Sequence, residues 1–374
     1  MTETLVATGY EPVGPVETPS GFSVEEVIVA GDRGPCGGVN MAVETAFEVL
    51  GIVAGREPVY TTHPIVHNKS IMEVLTDLGL IVESDINKIP VGSIRVMSAH
   101  TEDVEQTAIS EERGMLNIDT GCLLVYKVQR AGLRAVKEGK HVIYVGTKKH
   151  PEPEGVLSVL PEGSYTFVDI DGDDQTLPHH GKVDFVSLNQ TTLSTVGVVE
   201  KIKSLRELNP SLQIPDPEGI CYATDNRQNA VRRRLEDQEN PIHALLVVGS
   251  QTSHNSKELR NVGKNEAKIP SFLVDGPEDI DPLWFSPSIK RLMITSGASV
   301  LDEYLWRTVK YFTDRGTIVK FIPSTEKKPR INPETEEPVI NSETGEVEYE
   351  ERFFVGPDLT PLWERMAEKY GATA

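Results

Sequence analysis

Short apolar runs alternate along this chain with longer stretches whose apolar positions recur three and four residues apart, a pattern of strands alternating with amphipathic helices. After EEVIVA comes GGVNMAVETAFEVLG, in which Val39, Ala42, Val43, Ala46, Phe47 and Leu50 fall on one helical face. PVYTT then reads as a strand leading into HPIVHNKS, Ile71, Val74, Leu75 and Leu78 align on a second helix, and GSIRVMS reads as a strand ending at His100. The middle of the chain repeats this plan. LLVYKVQRAGLRAVKEGK is helical, HVIYVGT is a strand running into KKHPEPEG, and VDFVSLN is a strand ending at Gln190, Thr191 and Thr192. In the last third YATDNRQNAVRRRLEDQ is helical, HALLVVGS is a strand running into QTSHNS, and RLMITSG is a strand ending at Ser299.

The repeat is regular in length. From Cys36 to His67, Cys122 to His150 and Cys221 to Ser253 the separations are 31, 28 and 32 residues. Strand–helix–strand units of this kind build parallel sheets through right-handed crossovers, and their ligands sit beyond the carboxyl ends of the strands. The expected fold is therefore α/β, with three pseudo-repeated units (residues 23–121, 122–220 and 221–323) that carry small parallel sheets and face a shared centre. Residues 1–22 read as an N-terminal arm and 324–374 as a charged C-terminal segment, in which SETGEVEY turns a hairpin or stays a solvated loop. The insert at 171–182 reads as a polar surface loop.

Charge narrows the function. The chain of 374 residues carries a net charge of −20, with 57 acidic against 37 basic residues, which argues against nucleic acid as a partner. The nearest candidate for a basic patch, VRRRLEDQE, has acids directly after its arginines and reads as a solvated helix face. No apolar stretch is long enough to span a bilayer, and the N-terminal sequence lacks the pattern of a secretory signal, so a cytoplasmic protein is expected.

The cysteine count adds chemistry. The chain has three cysteines, Cys36, Cys122 and Cys221, and each follows an apolar run and precedes a helical segment. Three cysteines cannot all pair internally, and no C-x-x-C pair marks a structural zinc knuckle. Equivalent thiols in three repeats point to three protein ligands on one metal centre, an iron–sulfur cluster or zinc, with a coordination position left for substrate. His67, His100 and His150 stand at strand ends as neutral N–H donors suited to phosphate oxygens, and Thr191, Ser253, Asn255 and Ser299 add further donors. Glu152, two residues after His150, is the best-placed carboxylate for proton delivery.

These motifs resemble those of the 4-hydroxy-3-methylbut-2-enyl diphosphate reductases, the IspH or LytB family of the non-mevalonate isoprenoid pathway. RGPCGGV, IVHN, SAH, HPEPEG, NQTTLS, ICYATDNRQ, SHNS and GAS stand in the family's order between about residues 25 and 310. The resemblance implies reductive dehydroxylation of an allylic diphosphate to isopentenyl and dimethylallyl diphosphate. It implies a [4Fe-4S] cluster held by Cys36, Cys122 and Cys221, with electrons from a donor such as ferredoxin or flavodoxin. Glu152, Thr191 and His150 would supply protons, while His67, His100, His150, Thr191, Ser253, His254, Asn255 and Ser299 would bind substrate. The chain departs from the family pattern at Thr101, where a glycine is usual, and at Gly121 and Leu123, which flank Cys122 in place of threonine and proline. It also departs at His254, in place of a serine, and at Gln129, where many members have histidine. The alternatives are a divergent cluster enzyme acting on another hydroxylated or diphosphate substrate, and a cluster-based redox sensor.

Overall fold

The computed structural model describes residues 22–173, 176–177, 184–217, 221–322 and 357–370. Residues 1–21 of the expected arm, most of the 171–182 insert and the 324–352 segment with its hairpin lie outside the described residues. The chain forms two compact units, Met1–Pro35 with Asn226–Phe353 and Cys36–Asp225 with Phe354–Ala374.

In chain order the elements begin with β1 (Glu26–Val29), α1 (Gly37–Val53), β2 (Val59–Thr61), α2 (Lys69–Asp77), β3 (Leu80–Val82), β4 (Ile94–Val96), α3 (Val104–Glu112) and β5 (Leu116–Ile118). There follow α4 (Leu123–Lys137), β6 (His141–Gly146), α5 (Pro151–Leu157), β7 (Tyr165–Asp169), β8 (Phe185–Asn189), α6 (Thr195–Leu208) and α7 (Tyr222–Leu235). The last are β9 (Ala244–Val248), α8 (His254–Asn261), β10 (Ser271–Val274), β11 (Arg291–Ser296), α9 (Asp302–Thr313), β12 (Ile318–Phe321) and α10 (Thr360–Tyr370). Among the described residues no helix is long and apolar enough to cross a membrane.

The first unit is built on one parallel sheet of order β10-β9-β11-β1-β12. Its central strands are apolar on both faces because both faces are covered. Val27, Val29, Leu246, Val248, Leu292 and Ile294 join Phe285, Leu305 and Phe312 on one side. Ile28, Leu245, Val247 and Met293 join Val231 and Leu259 on the other. The second unit holds two smaller parallel sheets, β3-β2-β4-β5 and β7-β6-β8.

The small parallel sheets match expectation, but the sheets do not follow three successive segments of chain. β1, from the first third, pairs with β11 and β12 in the sheet of the last third. Val27, Ile28 and Val29 are all buried, so this strand takes an interior place with a partner on either side. The apolar run before Cys221 also forms no strand over residues 211–217, where Pro215 and Pro217 lack the N–H groups a ladder needs.

Helix α1 is buried well beyond the expected face: Met41, Thr45, Val49, Ile52 and Val53 are covered as well. The cover comes partly from α10, which packs against α1 with Leu362 and Met366 fully buried. Arg365 and Lys369 of α10 pair with the buried carboxylate of Glu57 just beyond α1. On α2, by contrast, only Ile71 and Leu75 are buried, while Val74 and Leu78 are exposed.

Candidate active site

The three cysteines, the three histidines, Glu152 and Thr191 all belong to the second unit. Cys36 is the N-cap residue of α1, Cys122 that of α4, and Cys221 directly precedes α7. Each thiol thus sits at the positive end of a helix, where a thiolate is favoured. None of the three is in a disulfide among the described residues, and all are half-buried. Burial pushes the Cys122 thiol up to about 12; the Leu124 backbone N–H pulls it back, while the neighbouring Cys36 and Cys221 sulfurs raise it further. Three soft donors, one of them a thiol whose ionisation the other two disfavour, fit a metal group whose positive charge would hold them as thiolates.

Backbone hydrogen bonds tie two of these cysteines to segments that carry other predicted residues. Cys122 N donates to Ala99 O (2.9 Å), next to His100, and Cys221 N donates to Thr191 O (3.1 Å). The rings of His67 and His100 lie 4.5 Å apart between centroids, His67 and His150 5.0 Å, and His100 and His150 5.3 Å. Burial holds the His100 ring well below the usual imidazole range, and the neighbouring His67, His150 and His63 push the same way, so it is neutral near pH 7. Its Nδ1 is buried without a hydrogen-bond partner among the described residues, as expected for a group awaiting a ligand. His150 Nδ1 accepts the Glu152 N–H (3.2 Å), which places the hydrogen of the neutral ring on Nε2. Asn68, next to His67, fixes that turn by accepting the Ile71 N–H (3.0 Å) as N-cap of α2.

Glu152 lies in the first turn of α5 and is completely buried. Thr191 grips its carboxylate twice, donating N–H to Oε1 (2.6 Å) and Oγ1–H to Oε2 (3.0 Å). Burial raises its pKa to about 7 against the opposing pull of those two bonds. A carboxyl group that is half-protonated near neutrality is suited to general acid chemistry.

Ser253, His254, Asn255 and Ser299 belong to the first unit, Ser253 to Asn255 at the start of α8 after β9 and Ser299 in the loop after the adjacent parallel strand β11. Ser253 caps α8 by accepting the Ser256 N–H (3.3 Å), and His254 Nε2 lies 3.9 Å from Glu258 Oε1. Asn255 is buried, and neither its Oδ1 nor its Nδ2 has a partner among the described residues, a costly state that a polar ligand would relieve.

The departures from the family pattern have local explanations. Gly121 accommodates Tyr126, since a Cβ there would lie 2.6 Å from the tyrosine hydroxyl. Leu123 occupies the first position of α4 and is 51% exposed, so the change from proline is made at the surface. Gln129 donates to Gly155 O (2.9 Å), linking α4 to the helix that carries Glu152. Sequence reasoning missed Arg227, which is buried with its guanidinium donating to Gly34 O at 2.8 and 3.1 Å. Together with the Gly34 N–H to Ser296 Oγ bond (2.8 Å), it fixes the loop before Cys36. The only sequence signal was an arginine inside ICYATDNRQ.

Comparison with known proteins places the chain in a family. The LytB protein family matches residues 27–313. A 4-hydroxy-3-methylbut-2-enyl diphosphate reductase of Actinobacillus pleuropneumoniae is 34% identical over 295 residues, 78% of this chain and 90% of the relative. In Mycobacterium bovis, 4-hydroxy-3-methylbut-2-enyl diphosphate reductase 2 is 36% identical over 291 residues, 77% of this chain and 86% of the relative. Among solved structures, the E-1-hydroxy-2-methyl-but-2-enyl-4-diphosphate reductase of Plasmodium falciparum superposes with a TM-score of 0.73 at 26% identity, covering 82% of this chain and 94% of that one. A family match across the span holding all three cysteines, all three histidines, Glu152 and the loops after β9 and β11 identifies this chain as a member of the LytB family.

Proposed function

We propose that this protein is a 4-hydroxy-3-methylbut-2-enyl diphosphate reductase, which removes the allylic hydroxyl of its substrate as water and yields isopentenyl and dimethylallyl diphosphate. Two electrons and two protons enter for each hydroxyl lost. The observation that carries this reading is the buried carboxyl of Glu152, with a pKa of about 7 and held by Thr191, whose backbone is bonded to Cys221. A sensor has no need of a tuned proton donor.

Cys36, Cys122 and Cys221 would hold a [4Fe-4S] cluster. When bound, the cluster supplies the electrons, which a ferredoxin or flavodoxin would replenish. Glu152 stores the proton at Oε1 or Oε2, and the Thr191 hydroxyl and His150 relay it to the leaving oxygen. We assign the diphosphate to the neutral N–H groups of His67, His100 and His150. Thr191 contacts the reacting part of the substrate, and Ser253, His254, Asn255 and Ser299 donate further hydrogen bonds to phosphate oxygens. The site is expected to work in the cytoplasm. A second reading has one ground of its own: the ligand atoms of His67, His100 and His150 lie within 4.8 Å of one another, close enough to hold a divalent cation.

The test is anaerobic turnover of the allylic diphosphate with an artificial reductant, after iron and sulfide have been counted. Product formation supports the reductase. A fully loaded protein that leaves this substrate untouched refutes it. For the second reading, stoichiometric zinc that is lost on replacing His100→Ala would favour a cation site, and binding of inorganic diphosphate lost by the same change favours the anion site.

A further inference from the structure

His100 is carried by a short turn that is held in an unusual way. Thr101, the next residue, has φ 65°, in the left-handed region that a β-branched side chain rarely adopts. The turn closes through Thr101 N to Ser98 O (3.2 Å). Beyond it, the carboxylate of Glu102 pairs with the fully buried guanidinium of Arg95 on β4 and accepts the Thr62 hydroxyl (2.9 Å) next to β2. The pair is a poor source of stability. Two charges have been taken out of water, and Arg95 Nε and Nη1 have no hydrogen-bond partner among the described residues. On its other side the turn meets α5 backbone to backbone, because a Cβ on Gly155 would lie 3.1 Å from Glu102 N and 3.2 Å from Glu102 O. Gln129 spans this contact, donating to Gly155 O at 2.9 Å.

We propose that Glu102, anchored by Arg95 and Thr62, is a positioning residue for His100: it holds Thr101 in its left-handed conformation and so keeps the His100 ring against His67 and His150. The inference rests on the reading that His100 grips the diphosphate. A glycine at 101 would adopt the same backbone without an anchor. Threonine at 101 and the buried pair at 95 and 102 therefore form one device in this chain.

The experiment measures kcat, KM and inhibition by inorganic diphosphate on cluster-loaded protein, with iron content and far-UV circular dichroism as controls. The double variant Arg95→Met, Glu102→Leu removes both charges and keeps apolar volume. It is expected to keep its iron and fold, to raise KM and the diphosphate inhibition constant about tenfold, and to hold kcat within about threefold, because only the grip on the substrate is loosened. Adding Thr101→Gly should return both constants to within about twofold of the parent. An unchanged KM in the double variant would overturn the proposal, and so would a raised KM that Thr101→Gly leaves uncorrected. If the double variant does not fold, Glu102→Asp carries the same comparison with and without Thr101→Gly. His100→Ala separates the two levels of the argument. If it leaves KM unchanged, the reading of His100 fails and takes this inference with it. If it raises KM while the double variant does not, the inference alone fails.

Discussion

Replacing Glu152→Gln tests the chemistry at its most exposed point. The side chain is completely buried, and its pKa is raised from the ordinary value of 4.5 to about 7. Glutamine keeps the shape and an oxygen for the Thr191 N–H, but it has no proton to give. A lost general acid costs about 10²–10⁴-fold in rate, so kcat should fall by that much while the iron content stays at the parent level. The pH dependence follows from the sign of the shift. Between pH 4.5 and about 7 the unfolded chain has released this proton and the folded chain still holds it, so stability falls as pH rises across that window. The displacement corresponds to about 3 kcal/mol, fully felt above pH 7 and absent below pH 4.5. Urea denaturation of the parent at pH 5 and pH 8 should show this loss, and the glutamine variant should show little of it. Turnover of the parent should decline above about pH 7 as the acid empties, and the variant's residual rate should lack that limb. A variant that keeps more than a tenth of parental kcat, or retains the alkaline limb, would refute the assignment.

Three further outcomes follow from the same geometry. Thr191→Val removes the 3.0 Å hydroxyl bond that lowers the Glu152 pKa, so the alkaline limb should move to higher pH and kcat should fall about tenfold; a limb that stays in place contradicts the pairing. Cys122→Ser replaces a soft thiol with a hard hydroxyl, and iron and sulfide after anaerobic reconstitution should drop below half of the parent level, whereas full occupancy would remove Cys122 from the ligand set. Ending the chain before residue 357 removes α10 and uncovers α1, whose N-cap is Cys36. With Leu362 and Met366 buried to 1% and 0% exposure, the loss should be about 3–5 kcal/mol in chemical denaturation, and an unmoved midpoint would show that the helix does not brace α1.

The interior strands were legible because they are buried on both faces: β1, β6, β9 and β11 read as continuous apolar runs and proved central to their sheets. The strands that escaped reading, β3, β7, β10 and β12, all lie at sheet edges. There one flank has no neighbour, and polar or exposed residues break the apolar signal, as in β12, where Ile318, Lys320 and Phe321 are exposed. The placement of β1 was hidden for another reason, since periodicity shows that a strand is central but not which distant segments flank it. In the candidate site, the cysteine and histidine positions stood out because a similar plan of strand and helix recurs along the chain, whereas Glu152 has no counterpart in the other repeats. The supports were not legible: Arg227 acts on the carbonyl oxygen of Gly34, 193 residues away, and the Arg95–Glu102 pair looks like two ordinary charges until both prove buried. Helix α10 was masked by its charged neighbourhood, though Leu362 and Met366 stand four residues apart on one face.

The most direct test is a single anaerobic experiment on the full chain. Reconstituted protein is assayed for iron and sulfide, then given 4-hydroxy-3-methylbut-2-enyl diphosphate and a low-potential reductant, and the products are separated. The account predicts four irons and four sulfides per chain and conversion to isopentenyl and dimethylallyl diphosphate. A colourless protein with stoichiometric zinc, or a fully loaded one that forms neither product, would contradict it.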